Sequence, residues 1–505
     1  MSGGRAVVLI GVGQRTVRPG EPGVGALPLE GASDPLALLA AAARDALDDA
    51  RLGKSAIGAI DTIGLVDALA WPAKNPVRLL AEALGAKPKR ELVTKVGGES
   101  PLVLLNHVAR AIERGEIDVA LIGGTHVIKT LRDASKKGVR LELPLGGDGE
   151  PTAITQNKAG SSAREGAYGL MLPASVYPLF ENALRARRGL SLDEHRRRMG
   201  ALMEPFTRVA AANPHAWFPV PRSAEELVKP TPANRMVAFP YTKYLNAVIE
   251  TDQAAAILLA SEEAARRLGA AQDRRVWWWG GGQAVEDPWF PTERPDFADC
   301  PALASAAQGA LADAGVTVDE IARFDLYSCF PVAVELACDL LGIAEDDPRG
   351  LTVTGGLPYA GGPGNNYSLH SAAAMVEKLR AEGGRGLVTG NGWYLTKHSA
   401  AVLGASPPAP GRSRNAPAAA PRAAATIEFA DAADGAATVE TYTVLHDRSG
   451  APERGLVVGR QGDGRRFLAD VAADRAGLEA FVAAEQVGRH GRVSNPNGRN
   501  RFEPR

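Results

Sequence analysis

Cysteine is scarce. Cys300, Cys329 and Cys338 are the only three in 505 residues. So few exclude a disulfide framework and point to a reducing cytoplasm. The eight histidines are scattered, none stands in HxxH or HxxxH spacing, and CxxC is absent. A structural zinc site, or any other metal site, is therefore not expected, nor any tightly bound cofactor. An excess of charge of one sign is missing too. The chain has 57 Lys and Arg against 58 Asp and Glu, a formal net charge of −1, so no whole-molecule field draws it to nucleic acid. No uninterrupted apolar run approaches the about 18 residues of a membrane span. The run ending at Ile10 is too short for a signal peptide with its cleavage site.

What is present is an ordinary globular composition, 45% hydrophobic, enough for a sizeable core. Residues 6–14, AVVLIGVGQ, read as a buried strand ending in glycines. Gly11-x-Gly13 lacks the third glycine of a dinucleotide loop, and Pro19 and Gly20 follow where a helix would be needed. Residues 34–52 predict a helix, with Asp34 as N-cap and Pro35 at N1. Strands are expected at 60–67 and 118–124, with a helix from Ser100 to Arg114 between them. Such alternation implies a parallel sheet covered by helices, whose strands are continuous apolar runs such as VVLI and VALI.

From about 128 to 245 the pattern breaks into a stretch richer in charge, Pro and Asn. It is too long for a loop and reads as an inserted, partly helical domain. Its arginines, 185, 187, 188, 196, 197 and 198, form either a solvated helix face or a site for a phosphate-bearing ligand. The opening pattern then returns. VWWWGGGQ at 276–283 parallels VVLIGVGQ at 7–14, Phe324-Asp325 parallels Ile60-Asp61, and GLVTGNG at 386–392 parallels VALIGG at 119–124. Two similar α/β halves are expected, at 1–265 and 275–405. A Pro/Ala-rich linker follows at 406–425, then a small β-domain with strands at TIEFA, ATVETYTVLHD, GLVVGRQ and RRFLADV. The basic tail from Gly488 is expected to lack regular structure.

Three segments stand at turns after core elements: Tyr327-Ser328-Cys329-Phe330, Gly361-Gly362-Pro363-Gly364 and Gly390-Asn391-Gly392. With Val96-Gly97-Gly98-Glu99-Ser100-Pro101 and the duplicated order of elements, they resemble the reactive-centre loops of the thiolase superfamily. The resemblance covers about 400 residues. It is closest to sterol-carrier-protein-type thiolases and their type 1 thiolase-like relatives, which carry an extra C-terminal β-domain matching 426–505. It implies an α/β, duplicated, five-layered thiolase fold with an inserted loop domain, plus a small all-β, OB-like C-terminal domain. It also implies, as the first reading, an acyl-CoA-binding protein of the acetyl-CoA acetyltransferase or acyltransferase family with weak or altered acyl transfer, and a coenzyme A thioester as ligand or substrate.

The reactive residues themselves are replaced. Gly98 stands where the family's nucleophilic cysteine belongs, Gly362 where its activating histidine belongs, and Gly390-Asn391-Gly392 where its second cysteine segment belongs. Ser100 reads as a helix N-cap, or as a substitute nucleophile. Glu99 reads as a base, or as a charge at the helix terminus. Cys329 is a packing thiol or a nucleophile. Tyr327, Tyr359, Ser328 and His398 are candidates for general acid/base work in a retro-aldol carbon–carbon lyase. Gly98, Glu99, Gly361, Gly362, Pro363, Asn365, Gly390, Asn391 and Gly392, with Arg188 and Arg196 from the insertion, are the expected substrate and CoA contacts. A non-catalytic scaffold is the third reading. The oligomeric state stays open between monomer and homodimer, and the C-terminal domain could dock a protein partner.

Overall fold

The computed structural model describes residues 5–52, 55–409 and 427–504. The linker read at 406–425 therefore lies, from residue 410 on, outside the described residues. Ten strands form one large sheet. Its order is Arg323–Asp325, Arg385–Gly392, Lys397–Gly404, Val276–Val285, Val7–Thr16, Asp252–Ser261, Val119–Val127, Thr62–Leu65, Arg90–Val93 and Thr152–Ala153. The halves meet where Val7–Thr16 pairs antiparallel with Val276–Val285, at Val8 opposite Trp277 and Leu9 opposite Val276. Going outward from that seam, each half repeats one order: its first strand, its last, then the two carrying the expected repeats. The duplication read in the sequence is thus a duplication of topology.

Alternation along the strands builds the layers. Val7 and Leu9 join one core with Ile257, Leu259, Val388 and Leu403, whereas Val8 and Ile10 join the other. The first core is filled by helix Ser100–Glu113 from one half and helix Tyr367–Glu382 from the other, lying between the two halves of the sheet. The outer faces are covered by helix Pro35–Asp49 and by helix Pro301–Ala314. This gives the five-layered α/β fold. Asp34 caps its helix as expected, accepting from the Ala37 N–H at 2.8 Å. The glycines of the repeat serve this packing. A Cβ at Gly13 would lie 2.1 Å from the Ala42 carbonyl oxygen, and one at Gly282 2.0 Å from that of Ala306. Gly11-x-Gly13 therefore admits an alanine-rich helix and is no phosphate loop.

The insertion is helical, with Ile128–Lys137, Pro173–Arg187 and Leu192–Ala212 as its longest elements. It also supplies strand Met236–Ala238 to the C-terminal sheet, at Ala238 opposite Leu445. That sheet closes into a barrel. Strand Gly435–His446 pairs with Pro452–Gln461 and with His490–Ser494. Arg466–Val471 pairs with Pro452–Gln461 on one side and, in parallel, with Arg501–Pro504 on the other. Arg501–Pro504 then joins His490–Ser494, completing the ring.

Three expectations are corrected here. The large sheet is mixed and not parallel: Val7–Thr16, Asp252–Ser261, Val119–Val127, Val276–Val285 and Lys397–Gly404 pair antiparallel, and parallel pairing is confined to pairs that include an outer strand. The tail beyond Gly488 supplies two barrel strands, because Val493 and Phe502 are fully buried in its core. Each strand contributes a single large apolar residue amid Arg, Asn and Gly, too thin a signal to read. TIEFA, in contrast, yields among the described residues only one isolated bridge, Phe429 to Arg466. The β-domain also contains a helix, Arg475–Val482.

Candidate functional site

The turns singled out in the sequence converge at the N-terminus of helix Ser100–Glu113. The Asp325 carboxylate, fully buried, accepts from the backbone N–H groups of Val353 and Thr354 and the hydroxyl of Thr352. That anchor holds the segment leading to Tyr327, whose N–H donates to the Thr389 hydroxyl at 2.8 Å. The Tyr367 ring packs edge-on against it, with centroids 5.5 Å apart. The phenol is thereby aimed at Gly98. A Cβ built on Gly98 would lie 2.3 Å from the Tyr327 hydroxyl oxygen and 2.5 Å from the Asn391 carbonyl oxygen. The space of a side chain at position 98 is already filled by a phenol.

Glu99 and Lys397 form a buried ion pair beside this point, 2.7 Å apart. Lys397 also donates to the Val96 carbonyl at 2.5 Å. Glycine makes room for the pair: a Cβ at Gly392 would fall 1.8 Å, and one at Gly97 2.0 Å, from Glu99 Oε2. That same oxygen has no hydrogen-bond partner among the described residues. Burial pushes the Glu99 carboxyl above its ordinary range, and the Lys397 ammonium opposes the shift. Burial likewise raises the Tyr327 phenol, with nearby Cys329, Tyr367 and Glu99 adding to the effect.

The other candidates fall into place around this centre. Ser100 is not the cap: Glu99 occupies that position, and Ser100, fully buried, donates its hydroxyl to the Gly97 carbonyl at 2.6 Å. Its oxygen is committed and enclosed, which does not suit a nucleophile. Cys329 is buried, and burial pushes its thiol up to about 12 despite a hydrogen bond from Tyr177. Asn391 donates to the Tyr177 hydroxyl at 2.9 Å and contacts the Cys329 sulfur at 3.9 Å. Ser328 faces the Gly356 turn, and the buried Tyr359 hydroxyl has no partner among the described residues.

The Gly361–Asn365 turn offers less than its glycines suggest. Gly362 donates its N–H to the Val248 carbonyl, and Gly364 donates back to Gly362, with Pro363 between them. Asn365 accepts from the Gly97 N–H and donates to the Asp67 carbonyl. These donors brace the loops and are not left free for a thioester oxygen. His398 shares a small cavity wall with Tyr327, Gly390 and Asn391. Its Nε2, however, contacts Cys300, at 3.2 Å.

Arg188 and Arg196 lie apart from the centre and are engaged elsewhere. Arg188 pairs with Glu335, Asp339 and Glu345, and Arg196 with Asp193. Arg185, fully buried, holds Glu485 of the C-terminal domain. The arginine cluster is therefore largely a set of fasteners between the insertion and its neighbours. The carboxylates that neutralise it lie about 100 residues or more away in sequence, apart from Asp193, so the local charge pattern concealed them.

Comparison with known proteins agrees with this architecture. The family described as the additional C-terminal domain of thiolase-like protein type 1 matches residues 420–497. The crystal structure of a monomeric SCP2-thiolase like protein type 1 from Mycobacterium smegmatis is 34% identical, with 99% of each chain covered and a TM-score of 0.82. The chain belongs to the type 1 SCP2-thiolase-like proteins. The structure of an Ltp2-ChsH2(DUF35) aldolase, 19% identical, covers 79% of this chain and 97% of its own, with a TM-score of 0.58, and shares the fold. No curated protein matches.

In this type 1 thiolase-like protein the centre holds a phenol and a carboxylate–ammonium pair, with no side chain at position 98. Lys397 is the residue that the sequence analysis missed. It directly precedes His398, and its spacing from Glu99 carries no motif. The one available hint was the excess of glycine at 97, 98 and 392, which are the positions that the buried pair and the phenol require to be empty.

Proposed function

We propose that this protein binds an acyl-coenzyme A thioester and acts on a carbon–carbon bond by proton transfer, as a retro-aldol lyase, without forming an acyl-enzyme. The observation that carries this reading is the Tyr327 hydroxyl in the space of the missing side chain at Gly98. Thiol chemistry is sterically displaced there by a proton-carrying group. Glu99, its carboxyl raised by burial, accepts the proton of a β-hydroxyl. The bond between the α and β carbons breaks, a ketone or aldehyde leaves, and the electron pair passes to the thioester enolate. Tyr327 then donates its proton to the α carbon. Lys397 holds Glu99 in place and stabilises its ionised form. An environment that raises one acid and pairs another with a cation is how sites separate such roles. The fold-level likeness to an aldolase of the thiolase fold fits this chemistry.

The barrel's strand order, with one parallel pair and a helix before the fourth strand, supports an OB-like reading of the C-terminal domain. A monomer is also part of the proposal. Both edges of the large sheet end in strands of two or three residues, which offer little for pairing with another chain, and the Mycobacterium smegmatis relative is monomeric. The three buried free cysteines fit a reducing cytoplasm.

The test is release of a carbonyl product from β-hydroxyacyl-CoA esters, with binding followed separately by thermal shift. Wild type should release an aldehyde or ketone, and Tyr327→Phe should bind the ester but lose release by about 100-fold or more. Binding without release from any ester, or undiminished release by Tyr327→Phe, would sink the lyase reading. No shift with any CoA ester would select the scaffold role.

A further inference from the structure

A second cluster of reactive side chains lies behind the cavity, and the proposed lyase chemistry does not use it. Cys300, Glu286 and His398 converge from three separate elements: the start of helix Pro301–Ala314, the turn after strand Val276–Val285, and strand Lys397–Gly404. The Cys300 sulfur lies 3.2 Å from His398 Nε2 and 3.3 Å from Glu286 Oε1. The three ligand atoms all lie within 4.8 Å of one another. Cys300 is fully enclosed, and Glu286 and His398 are nearly so.

We infer that Cys300, His398 and Glu286 form a binding site for one divalent zinc-type cation. The donor set is one sulfur, one imidazole nitrogen and one carboxylate oxygen, which suits a borderline-soft ion of tetrahedral habit and not magnesium or calcium. Zinc lies about 2.3 Å from a thiolate and about 2.1 Å from nitrogen or oxygen, and tetrahedral angles then separate those ligand atoms by about 3.6 Å. The two distances from the Cys300 sulfur are a few tenths of an ångström shorter than that, and His398 and Glu286 present their ligand atoms within 4.8 Å of each other. Three protein ligands leave a fourth position for water.

The surroundings support ligation. The Leu395 carbonyl oxygen also lies against the cluster, 3.7 Å from the Cys300 sulfur. Glu286 Oε1 accepts from the Ala302 N–H at 2.8 Å, which aims the carboxylate at the cluster. Arg294, buried beside Glu286 and Cys300, donates to the carbonyls of Tyr394, Leu395 and Trp289 and to the Thr396 hydroxyl, all neutral acceptors. Binding releases the thiol proton to solvent as the sulfur–metal bond forms.

The site stands or falls independently of the lyase reading, because metal uptake is read without substrate. The full-length protein, stripped with a chelator, is titrated with cobalt(II) alone. The expected result is one equivalent bound, with the strong visible bands of four-coordinate cobalt and a near-ultraviolet thiolate-to-cobalt absorption. Cys300→Ser should lose the near-ultraviolet absorption, and Cys338→Ala should keep it. His398→Gln should weaken uptake by more than the about 10–100-fold that loss of a mere outer partner brings. If Cys300→Ser does not fold by circular dichroism, His398→Gln and Glu286→Gln decide. Wild type without the thiolate absorption, or folded Cys300 and His398 variants that take up cobalt as wild type does, would overturn the site.

Discussion

A side chain at position 98 has no free space: the Tyr327 hydroxyl and the Asn391 carbonyl both lie closer to its Cβ position than real contacts allow. Asn391 O belongs to the main chain of strand Arg385–Gly392 and cannot turn aside as a flexible side-chain tip would. Gly98→Cys, which puts back the family's nucleophile, should therefore not create a thiolase. It should destabilise the protein by about 1–3 kcal/mol or more, the usual penalty for overpacking. Denaturant unfolding measures the loss, and an acetoacetyl-CoA cleavage assay measures the activity. A stable, thiolytic Gly98→Cys variant would show that Tyr327 readily vacates the site. The sequence revealed that the nucleophile was missing, but it could not reveal that its space was occupied, because Tyr327 lies more than 200 residues away.

Elements are joined here by a few buried ionic side chains. Arg466, on the third barrel strand, is fully buried. It donates to the Thr292 and Arg294 carbonyls, at 2.7 and 2.5 Å, and pairs with Glu440. Thr292 and Arg294 belong to the second thiolase half, so one guanidinium fastens the barrel to it. Arg466→Ala should leave the Thr292 and Arg294 carbonyls without that donor, and Glu440 with Arg460 as its partner. At about 1–3 kcal/mol for each orphaned buried group, the variant should lose several kcal/mol, read as a lowered denaturation midpoint. An unchanged midpoint would mean that water replaces the guanidinium without loss. The same logic governs the insertion, where Arg185 and Arg188 reach Glu485 and Glu335. As a sequence pattern these arginines read as a solvated helix face or a ligand site, and only the positions of their distant carboxylates turned them into structural contacts.

At the scale of the whole molecule, several histidines are buried as neutral rings. Burial pulls His126 down to about 4, and His370 and His398 down to about 3. Each is lowered from an ordinary value near 6.5, so unfolded chains take up protons that the folded state refuses. The stability each contributes is full above about pH 6.5 and is lost as pH falls through the folded value. Asp252, raised by burial to about 6, acts in the opposite sense, gaining its proton in the folded state as pH falls below about 6. A single substitution separates the two. The stability difference between wild type and His126→Gln should shrink as pH drops from about 6.5 to about 4, by up to about 3 kcal/mol at 1.36 kcal/mol per unit. Unfolding curves at several pH values check this, and a constant difference would mean that His126 titrates normally.

The sequence by itself determined the architecture of this protein: two α/β halves, the insertion, the added β-domain, and the absence of a thiol and an imidazole at the family's reactive positions. Those features are written in local periodicity, in repeated segments and in the residues of short turns, all of which survive in one dimension. Tertiary structure decided what fills the centre. Tyr327 reaches Gly98, Lys397 reaches Glu99, and Cys300 reaches His398 and Glu286. Each contact joins elements on different strands or halves, so no spacing along the chain encodes it. The strands at 490–494 and 501–504 were hidden for a related reason. A strand that closes a barrel owes its place to its neighbours' hydrogen bonds and to one buried side chain, and so leaves little pattern of its own.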